Sequence, residues 1–288
     1  MMKKLLSNTS AALLVFSLLA SSHAEASLIA YDGFDYVSGT VTLDGSNRAV
    51  DAEEDLLNGG SGWGGAWRRS TESGNVFTHG SIQPGFSYSS LPVEGNRLLL
   101  GTNDGQNSSL YRDLSTTVGG SAGEVWISMI ARFDTDTTGY FALYRGNDVT
   151  RLPFVGATSQ TDWNWGLFNG ANSNRTATTK TVSETSFLLL KLDYGSGGVM
   201  NSMQLWVNPD LGNQTLLGDA DATLSSGQIG GGNNSFDRIR TFGSDGQNFD
   251  EIRIGTTFDA VAIPEPGTYA LGFGIVTLVM VLLRRRSR

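Results

Sequence analysis

Short runs of alternating apolar and polar side chains recur through the middle of the chain. They are separated by clusters of turn-forming residues such as GTNDGQNSS, FNGANSNRT and GQIGGGNNS. A period of two is that of a β-strand, whose successive side chains point to opposite faces. In EVWISMIARF, Val125, Ile127, Met129, Ala131 and Phe133 share one face and Trp126, Ser128, Ile130 and Arg132 the other. TSFLLLKLDY is apolar on both faces at its centre, which predicts a middle strand. SMQLWVN places Met203, Leu205 and Val207 together. FDEIRIG sends Phe249, Glu251 and Arg253 one way and Asp250, Ile252 and Ile254 the other. GYFALYR, WNWGLF and NRLLLG predict further strands, and only DAEEDLL has a pattern that suits a helical turn. Many short strands with tight turns, no internal repeat and no dividing linker predict one all-β sandwich domain.

Both ends differ from this pattern. Residues 1–26 join a basic start (Lys3, Lys4), an apolar stretch from Ala11 to Ala20 and the small-residue exit SSHAEA. These are the parts of a signal peptide. At the other end no charge occurs over 269–283, and Arg284, Arg285 and Arg286 follow. Fifteen helical residues rise about 22 Å, short of the ~30 Å hydrocarbon core. A start at Pro266 lengthens the helix to 266–283, and the arginine stems reach the remaining distance. The arginines form a cytoplasmic stop, which leaves the domain outside the membrane.

The domain between, 27–262, holds 14 basic and 26 acidic residues, a formal charge near −12. That field opposes nucleic acid as a partner. No basic cluster is visible in the sequence, so an acidic glycan would need a local patch or a bridging metal. The chain has no cysteine, which removes thiolate metal sites, thiol nucleophiles and redox chemistry. Outside the signal segment His79 is the one histidine; it stands in the polar, turn-like FTHGS and reads as a loop residue.

The triplet Pro264, Glu265, Pro266, the apolar run and the terminal arginines together resemble the PEP-CTERM sorting signal. The resemblance implies processing by signal peptidase and an inner-membrane exosortase. The protein would pass from transient inner-membrane anchoring to the cell surface or extracellular matrix of a Gram-negative bacterium. LIAYDGFDY, LNGGSGWGGAW, LWVNP and FDEIRIGTTF resemble the concanavalin A-like (laminin-G-like) jelly rolls carried by many PEP-CTERM proteins, over about residues 28–260. The fold class this implies is an antiparallel jelly-roll β-sandwich.

Candidate chemistry is sparse. Retaining hydrolases on such folds carry carboxylates alternating along one strand, about 5 Å apart. Here Asp51, Glu53, Glu54 and Asp55 fall in a loop, and Asp134 and Asp136 lead into a turn. In many jelly rolls of this kind calcium ties the first strand to the last. By that resemblance Asp32 and Asp250 are the expected ligands; the alternative is that both accept hydrogen bonds from turn N–H groups. Trp63 and Trp67 flank a Gly-rich loop, and Trp163 and Trp165 alternate along one strand; these four are the candidates for stacking on sugar, burial being the alternative. The reading is therefore an exported surface or matrix protein whose non-catalytic domain binds a glycan, such as an exopolysaccharide, or a protein, or is structural. A glycan-active hydrolase or lyase is the alternative.

Overall fold

The computed structural model describes residues 28–262 except 37–38, 44–56, 70–77, 89–94, 102–107, 147–149, 172, 213, 230–231 and 244–245. The expected signal segment, sorting triplet, spanning helix and terminal arginines lie outside the described residues. Among those described, no helix is long and apolar enough to cross a membrane.

The strands in chain order are β1 (Leu28–Asp32), β2 (Gly39–Leu43), β3 (Arg68–Arg69), β4 (Thr78–Pro84), β5 (Asn96–Leu100), β6 (Ser108–Val118), β7 (Gly123–Phe133) and β8 (Gly139–Arg145). They continue with β9 (Thr150–Ala157), β10 (Asn164–Phe168), β11 (Arg175–Thr181), β12 (Ser186–Tyr194), β13 (Met200–Val207), β14 (Ala222–Ser225), β15 (Phe236–Gly243) and β16 (Gln247–Gly255). Among the described residues they are accompanied by two single-turn α-helices, α1 (Ser226–Ile229) and α2 (Phe258–Val261), and by short 3-10 turns.

The strands form two antiparallel sheets, the layers of an all-β jelly-roll sandwich. The nine-stranded back sheet runs β14-β13-β12-β7-β16-β5-β4-β2. In it β16 pairs with β7 on one flank and with β5, then β1, on the other; Leu28 stands opposite Gly255. The seven-stranded front sheet runs β11-β10-β9-β8-β15-β6-β3.

The core lies between the sheets. Ile127, Met129 and Phe133 of β7 and Leu188 and Leu190 of β12 meet Phe141, Val155, Leu167 and Ile239 of the front sheet. The second face of β12 is apolar because the back sheet is covered too. Trp126, Ile130, Phe187, Leu189 and Trp206 pack there with Phe86 and with Phe258 and Val261 of α2. The Trp126 and Trp206 rings stack at 6.0 Å, and Phe258 stands edge-on to Trp126 at 5.6 Å. Ser128 Oγ donates to Val261 O at 2.8 Å, fixing α2 on the sheet.

Two sequence expectations are corrected. The strict alternation along β16 fails because the strand bulges: Asp250 is opposite Ile130 but Arg253 is opposite Ser128, and Glu251 has φ +51°. One extra residue reverses the facing of all that follows. Phe249, Ile252 and Ile254 therefore all reach the core, while Asp250, Glu251 and Arg253 stay on the outer side. His79 is not in a loop; it lies in β4, opposite Thr42 of β2.

Candidate functional site

Strand register aligns the outer face of the front sheet into three rows. The middle row crosses every strand: Arg68 (β3), Tyr111 (β6), Arg240 (β15), Ala142 (β8), Phe154 (β9), Phe168 (β10) and Arg175 (β11). Beside it runs Asp113, Arg238, Tyr144 and Arg151. On its other side run Ser109, Phe242, Tyr140, Gly156, Gly166 and Ala177.

Rings and guanidiniums hold one another on this face. Phe154 and Phe168 stack in parallel at 4.7 Å, and Tyr140 and Phe242 stack at 4.7 Å. Arg238 sits 4.2 Å above the Tyr111 ring, and Arg151 sits 4.7 Å above Phe154. Arg240 donates to Ser109 Oγ and, at 3.0 Å, to Tyr144 Oη. Asp113, the single carboxylate of the three rows, is paired with both Arg68 and Arg238. Tyr111, Tyr140, Tyr144, Phe154, Phe168, Arg238 and Arg240 form a buried floor; Arg68, Asp113, Arg151 and Phe242 are half-buried, and Arg175 is exposed.

This corrects the expectation of no basic cluster. The five arginines are scattered over 173 positions, from 68 to 240, and only the sheet order brings them together. One local signal was present: in FDRIRTFG, Arg238, Arg240 and Phe242 alternate with Ile239 and Thr241, the pattern of a strand with one basic and aromatic face.

The residues singled out from sequence lie elsewhere. The Asp32 carboxyl is in the interior, 1% exposed. Its Oδ2 accepts from Trp67 Nε1 (2.7 Å) and Tyr36 Oη (2.8 Å) and pairs with Arg112, while Oδ1 accepts from Phe34 N (2.8 Å). Burial pushes this carboxyl above its ordinary range, opposed by Arg112 and by the hydrogen bonds from Phe34, Trp67 and Tyr36. Arg112 projects inward from β6, gives Nη2 to Gly59 O (2.7 Å) and Nε to Gly65 O (2.9 Å), and lies 4.7 Å over the Trp63 ring. Asp250 is on the opposite face of the back sheet, accepting from Phe86 N (3.0 Å) and Glu251 N (2.9 Å). Burial, with the Glu251 charge adding to it, pushes the Asp250 carboxyl up to about 8.

The donor set expected for calcium therefore does not fit. Asp32 faces the core, where four donors already engage it, and Asp250 faces outward from the other side of the same sheet. Among the described residues no group of three or more His, Cys, Asp and Glu side chains is placed to hold a metal ion.

The tryptophan platform is corrected as well. Trp67 is 3% and Trp165 1% exposed, and both are core residues. Trp165 packs edge-on against Phe133 at 4.9 Å and donates to Ser186 Oγ. Trp63 is half-buried, donates to Tyr31 O at 2.8 Å and has Arg112 against its ring. Trp163 has φ +58° and precedes β10 rather than sharing a strand face with Trp165. Asp134 is a turn residue, bonded to Arg132 Nε (2.6 Å) and Asn248 Nδ2 (2.9 Å). The acidic group at 51–55 lies outside the described residues.

No family model matches the chain, and no curated protein matches it by sequence. Among solved structures it is similar to the globular domain of T. cruzi calreticulin, at 14% identity and TM-score 0.44, over 77% of this chain and 95% of that one. It is also similar to a Bacillus licheniformis β-glucanase, at 10% identity and TM-score 0.40, over 76% and 98%. A third is the carbohydrate recognition domain of Emp46p, at 11% identity and TM-score 0.39, over 74% and 94%. At such identities no residue role is carried from them to this chain.

Proposed function

We propose that the chain is a non-catalytic glycan-binding protein of the cell exterior, and that the outer face of the front sheet holds the ligand. One observation carries the reading: the outer face of one sheet aligns rings and guanidiniums in three rows, in which Arg68, Arg151, Arg175 and Phe242 reach the surface over a buried layer of Tyr111, Tyr140, Tyr144, Phe154 and Phe168. Ring faces pack on the apolar faces of sugars, and guanidinium forks supply directional hydrogen bonds. Glycoside hydrolysis by the usual route needs two carboxyl groups flanking the scissile bond. The rows contain one, Asp113, and two arginines neutralise it.

The route to the exterior is proposed from sequence: export by the 1–26 segment, then exosortase sorting through Pro264, Glu265 and Pro266. The binding test is a polysaccharide panel with the purified protein, read for retention and for release of reducing or unsaturated ends. Retention without release is expected. Release would make the protein an enzyme, and retention on no polysaccharide would leave a protein-binding or structural role.

A further inference from the structure

The front face differs in charge from the rest of the domain. A domain near −12 overall carries in these three rows five arginines and one carboxylate. Arg151 has its Nε fixed to Gly170 O at 3.0 Å and its plane held against Phe154 (4.7 Å) and Tyr140 (5.6 Å). Its two terminal nitrogens make no hydrogen bond among the described residues. Arg68 is held in the same way, over the Tyr111 ring at 5.4 Å with Nη2 on Asp113, and its Nε and Nη1 make no hydrogen bond among the described residues. A guanidinium already immobilised on a ring loses little freedom when it binds; the terminal pair of Arg151 is an open fork that matches a carboxylate, while Arg68 offers its charge and single N–H donors on either side of the nitrogen held by Asp113. The two guanidiniums stand on β3 and β9, four strand steps or roughly 19 Å apart. The half-buried Phe242, on β15, lies between them in strand order, in the row on the side of the middle row away from Arg151.

We propose that the glycan is an anionic, uronate-containing chain lying across the strands, with carboxylates on Arg68 and Arg151 and a sugar face on Phe242. This rests on the front-face binding reading and adds the chemical class of the ligand. The separation of the two guanidiniums calls for a polymer; a single sugar reaches one of them. The acidic remainder of the domain repels the same chain, which confines it to this face.

The test uses the purified full-length protein, a polyuronate and a neutral glucan of similar length, with binding measured at low and high salt. The polyuronate should bind and weaken as salt screens the arginines. Arg151→Gln and Arg68→Gln should each weaken it roughly tenfold, the loss of a charge-assisted hydrogen bond. Arg151→Lys, which keeps charge but not the fork, should recover only part. Arg132→Ala removes an equal charge from the outer face of the back sheet and should leave binding unchanged; an equal loss there would remove the site from the front face. Equal binding of the neutral glucan with silent arginine variants would keep the glycan-binding reading and overturn the anionic assignment. Binding of neither polymer would overturn both.

Discussion

Arg112 of β6 and Asp32 of β1 form an ion pair through the core, each 1% exposed, so the front and back sheets are joined by charge as well as by apolar packing. Removing one partner strands a buried charge, which costs about 3–5 kcal/mol. Asp32→Ala and Arg112→Ala should each lower unfolding stability by that amount in urea titrations. The double variant should be less destabilised than the sum of the two, because neither charge is then left alone.

Asp250 sets a pH dependence of opposite sign to an ordinary ion-paired aspartate. Its folded value, about 8, lies above its unfolded value near 4, so its contribution to stability is fully present below pH 4 and is lost as pH rises through 8. The melting temperature should fall between pH 5 and pH 8 by several degrees, at ~2–4 °C per kcal/mol for a domain of this size. Asp250→Asn should flatten that slope, whatever it does to stability at one pH. Thermal melts of both proteins across this range provide the check; equal slopes would show that Asp250 does not titrate there.

Gly62 has φ +79°, and a Cβ there would stand 1.8 Å from Ile29 O. Neither the conformation nor the space admits a side chain. Beside it, Tyr31 and Ser61 exchange backbone hydrogen bonds of 3.0 and 2.9 Å, which hold this loop on β1. Gly62→Ala should cost roughly 2–4 kcal/mol by denaturant melt.

Trp67 and Trp165 should behave as core residues. Substitution of either by alanine should lower stability by about 3–5 kcal/mol in denaturant titrations. Where the variants remain folded, affinity for any bound glycan should be unchanged, since neither ring reaches the front face. A loss of glycan affinity at full stability would restore them as ligand contacts.

The strands that face two apolar environments were the most legible. The facing of β7 follows from the period of its side chains, and the two-faced apolarity of β12 from its central place. The Asp250–Arg253 bulge was hidden, because it depends on how β16 meets β7 rather than on composition. The jelly-roll resemblance implies a metal ligand at Asp32, whereas its carboxylate is taken up by Arg112, 80 positions away on the other sheet. The tryptophans misled because an aromatic ring carries the same signal for stacking on sugar and for filling a core, and only burial separates the two. The arginine rows were illegible for a topological reason, since strands adjacent in the front sheet, such as β6 and β15, are far apart in sequence.

Leu28 and Gly255 are paired residues of antiparallel neighbours, so the chain enters β1 beside the point where it leaves β16 for α2. Mechanical tension between the two ends of the domain would first lift α2 from the back sheet, then act on the β1–β16 ladder at its tip and open it bond by bond, as a zipper opens. Load entering through a polymer on the front face and leaving through the C-terminal end follows another path. It must cross the packed interior and reach β16, which is bonded along both flanks and cannot be peeled like an edge strand. A protein held at its end while its ligand is pulled would therefore yield less readily than the same protein stretched between its two termini.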